Sequence, residues 1–390
     1  MHSFPKRNAF VFDIVDAAKN VQNHYTVIGE DPGYGGHFEK EFCNKFTDFM
    51  GGGMCDAVSS GTTALYVAIR ALHLPPQSTV LVSAVTDPGT INAIILNDLV
   101  PQLVDSEEHS YNVSVKNILD GMKSKPSGVV IVHASGLPVD MVPIMKRARD
   151  QGIKVVEDCS QAHGAVIGSS NVGTFGDISA FSMMNRKNIA VNGTAGMVYS
   201  RNEELFKQAL AIADRGKPVW LKEYPDNDPR GNLFPSLNFN LDEISCSLGI
   251  TAMTKIDEVI RKRRIVAGEI QDAINSKSKY FYVNYPADKA SPFVIPVYIK
   301  KEVRNEIDVS KYAENLRRLG VPLNPHYRYL VSSWPYVSSF LSKNSRSENA
   351  ALTINESFVL YLNENYKAAD IDFIIEKMVE LERSIERFHK

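Results

Sequence analysis

Hydrophobic positions between residues 60 and 160 follow two alternating patterns. A helical pattern begins near Thr62 and runs through Ala64, Leu65, Tyr66, Val67 and Ala68. Four short apolar runs bounded by turn residues then read as strands: Thr79–Val85, Val100–Val104, Gly128–His133 and Lys154–Glu157. Helical stretches lie between them at Gly89–Leu96, Ser114–Met122 and Met141–Gln151. Near-continuous apolar strands alternating with helices predict a mostly parallel sheet covered on both faces, the α/β class.

Further along, Ile178–Met184 and Gly196–Ser200 read as two more strands. A long helical region is predicted from Leu241 to about Ile274, apolar at Ile244, Leu248, Ile250, Ile256 and Ile260. After Ser276 the pattern becomes that of a smaller α+β unit. Its strands are Tyr280–Val283 and Phe293–Ile299, and its helices Ser310–Leu319 and Ala369–Glu386. A chain of 390 residues exceeds what one small core holds. The expected division is a large domain over residues 1–275 and a small C-terminal domain over 276–390.

Composition narrows the function classes. The chain is 44% apolar and 23% charged with a formal net charge of −2, so no nucleic acid or anionic membrane is expected as partner. No stretch approaches the roughly 20 apolar residues of a membrane-spanning helix. Met1 to Phe10 carries Lys6 and Arg7 without an apolar run behind them, unlike a secretory signal. Cys43, Cys55, Cys159 and Cys246 lack the paired spacing of a zinc site. Reduced thiols, no metal and a cytoplasmic location are expected.

Three constellations carry candidate chemistry. Ser59-Ser60-Gly61-Thr62-Thr63 opens a helix with small hydroxyl residues and a glycine. Free N–H groups and the helix dipole there suit a phosphate, although the same residues make an ordinary N-cap. Val155-Val156-Glu157-Asp158 ends an apolar strand with an acid, where open α/β sheets bind ligands. Asp158 could hold a pyridinium nitrogen protonated, or simply cap a turn, and Glu157 and His163 have equally plain structural readings. Lys187 follows the strand that ends near Ser182 and is hemmed in by small residues, Asn192-Gly193-Thr194-Ala195-Gly196. That placement suits a Schiff-base lysine, while a lysine taken singly reads as a solvated surface charge. The order of the three, phosphate cradle, then acid, then lysine, separates these readings.

Together these residues resemble the sugar-aminotransferase family of fold-type I pyridoxal-phosphate (PLP) enzymes, the DegT/StrS group. The resemblance runs from about Gly35 to Leu381. It includes Pro138-Val139-Asp140, Glu157-Asp158-x-x-Gln161-Ala162-x-Gly164, Gly176-Asp177-x-x-x-Phe181-Ser182, Lys187-Asn188, Arg215-x-Lys217, Asn238-x-Asn240 and His326-Tyr327. It implies a large domain with a mostly parallel, seven-stranded type of sheet and a small α+β domain. It further implies that Ser60, Gly61, Thr62 and Ser182 bind the phosphate of PLP or its amine form, Asp158 the pyridine nitrogen, and Gln161 the phenolic oxygen. Lys187 would hold the cofactor as a Schiff base. Asn238 would reach the cofactor of a neighbouring subunit, implying a homodimer with shared active sites.

Three positions depart from the family pattern: Asp87 stands where a ring-stacking aromatic is usual, Thr194 where an acid is usual, and Asn240 where an arginine is usual. The implied reaction has two halves, in which an amino acid, glutamate by expectation, aminates the cofactor and a keto-sugar then takes the amine. In this family the sugar is commonly nucleotide-linked. Asp87, Arg215, His326 and Tyr327 are substrate candidates, with Arg186, Lys217 and Arg328 further candidates for a diphosphate. A cyclitol or free keto-sugar acid is the alternative acceptor, and a non-catalytic PLP-binding regulator the alternative role. Sugar dehydratases of this group replace the lysine with histidine, whereas Lys187 is present here.

Overall fold

Apolar side chains two residues apart on a strand face the same way, so a strand apolar throughout needs cover on both sides. In the computed structural model, helices supply that cover. The structure describes residues 2–5, 13–191, 193–221, 224 and 228–388. Lys6 and Arg7 of the N-terminal reading and Asn192 of the glycine-rich turn lie outside the described residues.

Helices α1 (Asp13–Ile28) and α2 (His37–Phe49) precede strand β1 (Met54–Val58). The α/β run follows: α3 (Gly61–Ala71), β2 (Thr79–Ser83), α4 (Pro88–Leu96), β3 (Val100–Val104), α5 (Val115–Gly121), β4 (Gly128–Val132), α6 (Met141–Gln151) and β5 (Lys154–Asp158). A small hairpin, β6 (Val166–Ile167) and β7 (Ser170–Asn171), leads to β8 (Ile178–Ser182), β9 (Gly196–Ser200) and α7 (Glu203–Ala213). The main sheet has seven strands in the order β1-β9-β8-β5-β4-β2-β3. Only β9 runs antiparallel to its neighbours. The expected α/β class and mostly parallel sheet are therefore present.

Alternation along the strands divides the core. Val80, Val82, Val130, Val132 and Val156 pack with α3, α4 and α7 on one face. Leu81, Val129, Ile131 and Val155 point the other way, toward α5 and α6. Each such side chain contributes about 1.5–3 kcal/mol when fully buried. Toward the β1 edge, Phe42 and Phe46 of α2 close over Phe181 and Met197. Phe38, Phe42 and Phe46 repeat every four residues, a helical signal not assigned above.

The single helical region expected from Leu241 to Ile274 is two helices, α8 (Glu243–Met253) and α9 (Ile256–Lys277). Thr254 Oγ1 turns back to the Thr251 carbonyl at 2.7 Å, and Lys255 N donates to Ala252 O. The chain can then leave the direction of α8, which packs on α1 and α2. α9 joins two cores: Ile256 and Ile260 pack with Phe42 and Phe181, while Val266, Ile270 and Ile274 pack in the second unit. That unit holds a four-stranded antiparallel sheet, in the order β10 (Phe281–Tyr282), β11 (Val294–Ile299), β13 (Ser357–Tyr361), β12 (Leu323–Asn324). Helices α10 (Val309–Arg318), α11 (Glu348–Asn355) and α12 (Ala368–Phe388) complete it.

The segment around residue 330 returns to the first sheet. Thr86 N donates to Tyr329 O, and Val331 N to Ala84 O. Arg263 of α9 is buried, with Nη2 2.9 Å from Glu364 Oε2 and Nη1 donating to Pro292 O at 3.0 Å. Removing the carboxylate takes the ion-pair partner from a buried guanidinium. Glu364→Ala should therefore lower stability by about 3–5 kcal/mol, seen as a shift of the urea unfolding midpoint at unchanged native far-UV dichroism.

Candidate active site

The C-terminal ends of parallel strands leave the backbone groups of the following loops pointing into one crevice. Here the ends of β2, β4, β5 and β8 meet the N-terminus of α3 around a cleft of about 210 Å³. Ser60, Gly61, Thr62, Asp87, Asp158, Gln161, Ser182 and Lys187 all line it. The structure thus gathers eight of the expected site residues into one place.

At one end sits the start of α3. Ser60 is its N-cap, accepting from Thr63 N at 3.1 Å, while Ser60 N donates to Thr63 Oγ1 at 2.9 Å. The cap and the cradle are one feature, because capping Thr63 leaves the helix dipole and the earlier N–H groups facing the cleft. A Cβ on Gly61 would lie 2.5 Å from the Ser182 Cβ. Only glycine lets the helix start seat against the end of β8 and keeps the Ser182 hydroxyl beside the free amides.

Asp158 ends β5 and is 3% exposed. Oδ2 accepts from Thr90 Oγ1 at 2.7 Å, and Oδ1 from Ser160 N at 3.1 Å. Thr90 in turn lies 2.7 Å from Thr86 Oγ1. Neither threonine was singled out from the sequence. Their one-turn spacing across the start of α4 was visible, but nothing local connects them to an acid 68 residues away. Glu157, adjacent on the strand, points to the opposite face. Its carboxylate accepts from the backbone N–H groups of Gly173, Phe175 and Gly176 at 2.6–2.8 Å, and lies 3.1 Å from His133 Nε2. Glu157 anchors the loop leading to β8.

Lys187 lies in the turn after β8, closed by Lys187 N donating to Met184 O and by Val191 N donating to Met183 O. It is 8% exposed, and burial pushes its amine below the ordinary lysine range, opposed by the charges of Asp158 and then Asp87. Asp87 caps α4, accepting from Gly89 N at 2.9 Å, and so brings a second carboxylate to the cleft. Gln161 Oε1 accepts from Ser135 N at 2.7 Å.

The other expected residues do not line the cleft themselves. Tyr327 stacks on Tyr111 at 4.6 Å between centroids and 12° between planes. Burial pushes its hydroxyl well up, and Gln161 is its polar neighbour. His326 turns to the small unit, 3.1 Å from Glu314 Oε1 and 3.0 Å from Ser310 Oγ. Arg215 pairs with Asp214 at 2.7 Å and with the Tyr34 hydroxyl. Asn238 bridges Asp214 and accepts from Asn240. Arg215 and Asn238 thus share a separate surface that does not line this chain's cleft.

Sheet order, the helix start, the buried acid and the buried lysine thus share one α/β frame. A model of the DegT/DnrJ/EryC1/StrS aminotransferase family matches residues 16–379, and the chain belongs to that family. GDP-perosamine synthase of Escherichia coli O157:H7 is 30% identical over 241 residues, 62% of this chain and 64% of that protein. The chain thus spans a little under two thirds of that relative's length. The dTDP-3-amino-3,6-dideoxy-alpha-D-galactopyranose transaminase of Aneurinibacillus thermoaerophilus is 28% identical over 319 residues, 81% of this chain and 84% of that protein. The fold matches the E. coli GDP-4-keto-6-deoxy-D-mannose-3-dehydratase with bound hydrated PLP, at a TM-score of 0.86, 21% identity, and coverage of 97% of this chain and 100% of that one.

Glu157→Ala leaves three backbone N–H groups without their acceptor. The expected loss is about 3 kcal/mol or more, measured as the shift of the chemical unfolding midpoint.

Proposed function

We propose that the chain is a PLP-dependent aminotransferase that moves an amino group from an amino acid, glutamate by expectation, to a nucleotide-linked keto-sugar in amino-sugar and glycan biosynthesis. The observation that carries this reading is one cleft holding the α3 N-terminus, the Asp158 carboxylate and the buried Lys187 amine. These groups fit the cofactor. Gly61, Thr62, Ser60 and Ser182 offer amide and hydroxyl donors to its phosphate, and the glycine leaves the room a Cβ would take. Asp158 would hold a proton at the ring nitrogen, and Gln161 would stand by the phenolic oxygen. When bound, PLP supplies an electron sink for charge developing on the amino carbon.

The chain's own residues do the rest. Thr90 and Ser160 N hold the Asp158 carboxylate in place. Burial lowers the proton affinity of the Lys187 amine, the direction that general base action requires. Lys187 Nζ takes a proton from the substrate's amino carbon in one half of the reaction and returns one in the other. One fold can host several chemistries, and a dehydratase shares this one. The lysine favours transamination, because the amine both displaces the product and carries the proton. The keto-sugar acceptor rests on the named relatives, a GDP-sugar and a dTDP-sugar enzyme.

The functional division into residues 1–275, which carry the cleft, and 276–390, which bring Tyr327 toward it, belongs to the same proposal. So does a homodimer with shared sites. Val219, Leu221, Leu233, Leu237 and Ile244 are exposed apolar residues in the same stretch of chain as Arg215 and Asn238, which supports a partner on that side. Among the described residues no helix is long and apolar enough to cross a membrane, and the four cysteines are free thiols, which favours a cytoplasmic site of action.

Two experiments test the proposal. Borohydride reduction of the protein loaded with PLP should leave the cofactor attached to Lys187 in the peptide map, and attachment to any other lysine would overturn the central assignment. For the dimer, Lys187→Ala and Asn238→Asp subunits are mixed under conditions of exchange. Each heterodimer then has one site with both defects and one with neither, so about half the wild-type activity per heterodimer should return. No recovery despite proven exchange would confine Asn238 to its own subunit.

A further inference from the structure

The large unit does not frame Lys187 alone. Its Nζ lies 4.5 Å from the centroid of the Phe293 ring, which enters from just before β11. Residues 291–293 are fastened there by a built joint. Ser291 N donates to Gly136 O at 2.9 Å, and Phe293 N to Ser135 O at 3.3 Å. Asn188 Nδ2, next to the lysine itself, donates to Ser291 Oγ at 2.7 Å. Tyr285 Oη donates to the Ser135 carbonyl at 2.7 Å from the same side.

Backbone conformation shows that the joint is specified. Ser135 holds φ of 60°, the left-handed region that few non-glycine residues occupy. Gly136 follows at φ of 84°, and a Cβ there would collide with the Ser291 carbonyl. These two residues bend the chain after β4 so that the 291–293 segment can approach backbone to backbone.

We propose that Phe293 is a positioning residue for the Lys187 amine, seated by this joint so that the small unit places the amine in the cleft. A ring face attracts an ammonium through its quadrupole and adds no third charge to the cleft. The charged groups acting on the amine are Asp158, from the end of β5, and Asp87, from the start of α4. A third carboxylate would compete with the anionic phosphate expected nearby, and a ring does not. The amine's purpose rests on the aminotransferase reading, whereas its place on the ring does not.

Trace acetylation of cofactor-free protein across pH, read at the Lys187 peptide by mass spectrometry, reports the amine's proton affinity without any turnover. The ring stabilises the charged form, so removing it favours the neutral amine. In Phe293→Leu the labelling midpoint should fall by roughly half to one and a half pH units, and Phe293→Tyr should restore it. Phe293→Met, which keeps length without a ring, repeats the measurement should the leucine variant not fold. A wild-type midpoint in either folded variant overturns the proposal. So does loss of folding in both when Phe293→Tyr folds normally, because the ring is then structural support. Borohydride attachment to Lys187 is scored separately, so a shifted midpoint without attachment would leave the positioning role standing and remove the aminotransferase reading.

Discussion

Taking a lysine amine out of water favours its neutral form, and keeping it near carboxylates favours its charged form. Lys187 is held between these two effects, and much of the surrounding structure serves to maintain the balance. Asp158 is itself nearly buried and needs its lone pairs met, which Thr90 and the Ser160 amide accomplish. Asp87 spends one oxygen on the start of α4 and still acts on the amine. An unmet polar group in this wall would cost more than one on the surface. The hydroxyl and amide partners are therefore as necessary as the acids.

Strand geometry explains how two adjacent acids have different tasks. Successive residues of β5 face opposite sides of the sheet. Asp158 consequently reaches the cleft, while Glu157 ties down the loop that returns the chain to β8. That loop leads into β8, whose far end carries Ser182 against Gly61 and opens the lysine turn. The helix start, the acid and the lysine thus follow three different strands, β1, β5 and β8, but share one frame. Arg215 and Asn238 lie off that frame, both held to Asp214.

Much of this was legible in the chain because its causes are local. Val129 to Val132 and Val155–Val156 mark strands by apolar character alone, and Ser60-Gly61-Thr62 marks a helix start by its capping chemistry. The order of cradle, Asp158 and Lys187 then pointed to one family, and the fold bears out the α/β sheet that the resemblance implies. The break between α8 and α9 was missed because apolar spacing continues through Thr254 and Lys255, and only packing on α1 and α2 decides where the helix turns away. Thr90 under Asp158 and Phe293 over Lys187 leave no trace in any local window. His326 and Tyr327 are neighbours in sequence, yet one turns to Glu314 and the other to the Tyr111 ring. Residue types and spacing determined which groups are available and which elements carry them. Strand order and the joint between the two units decided which groups meet, because a contact between distant segments depends on the direction of a side chain that only the packed sheet sets.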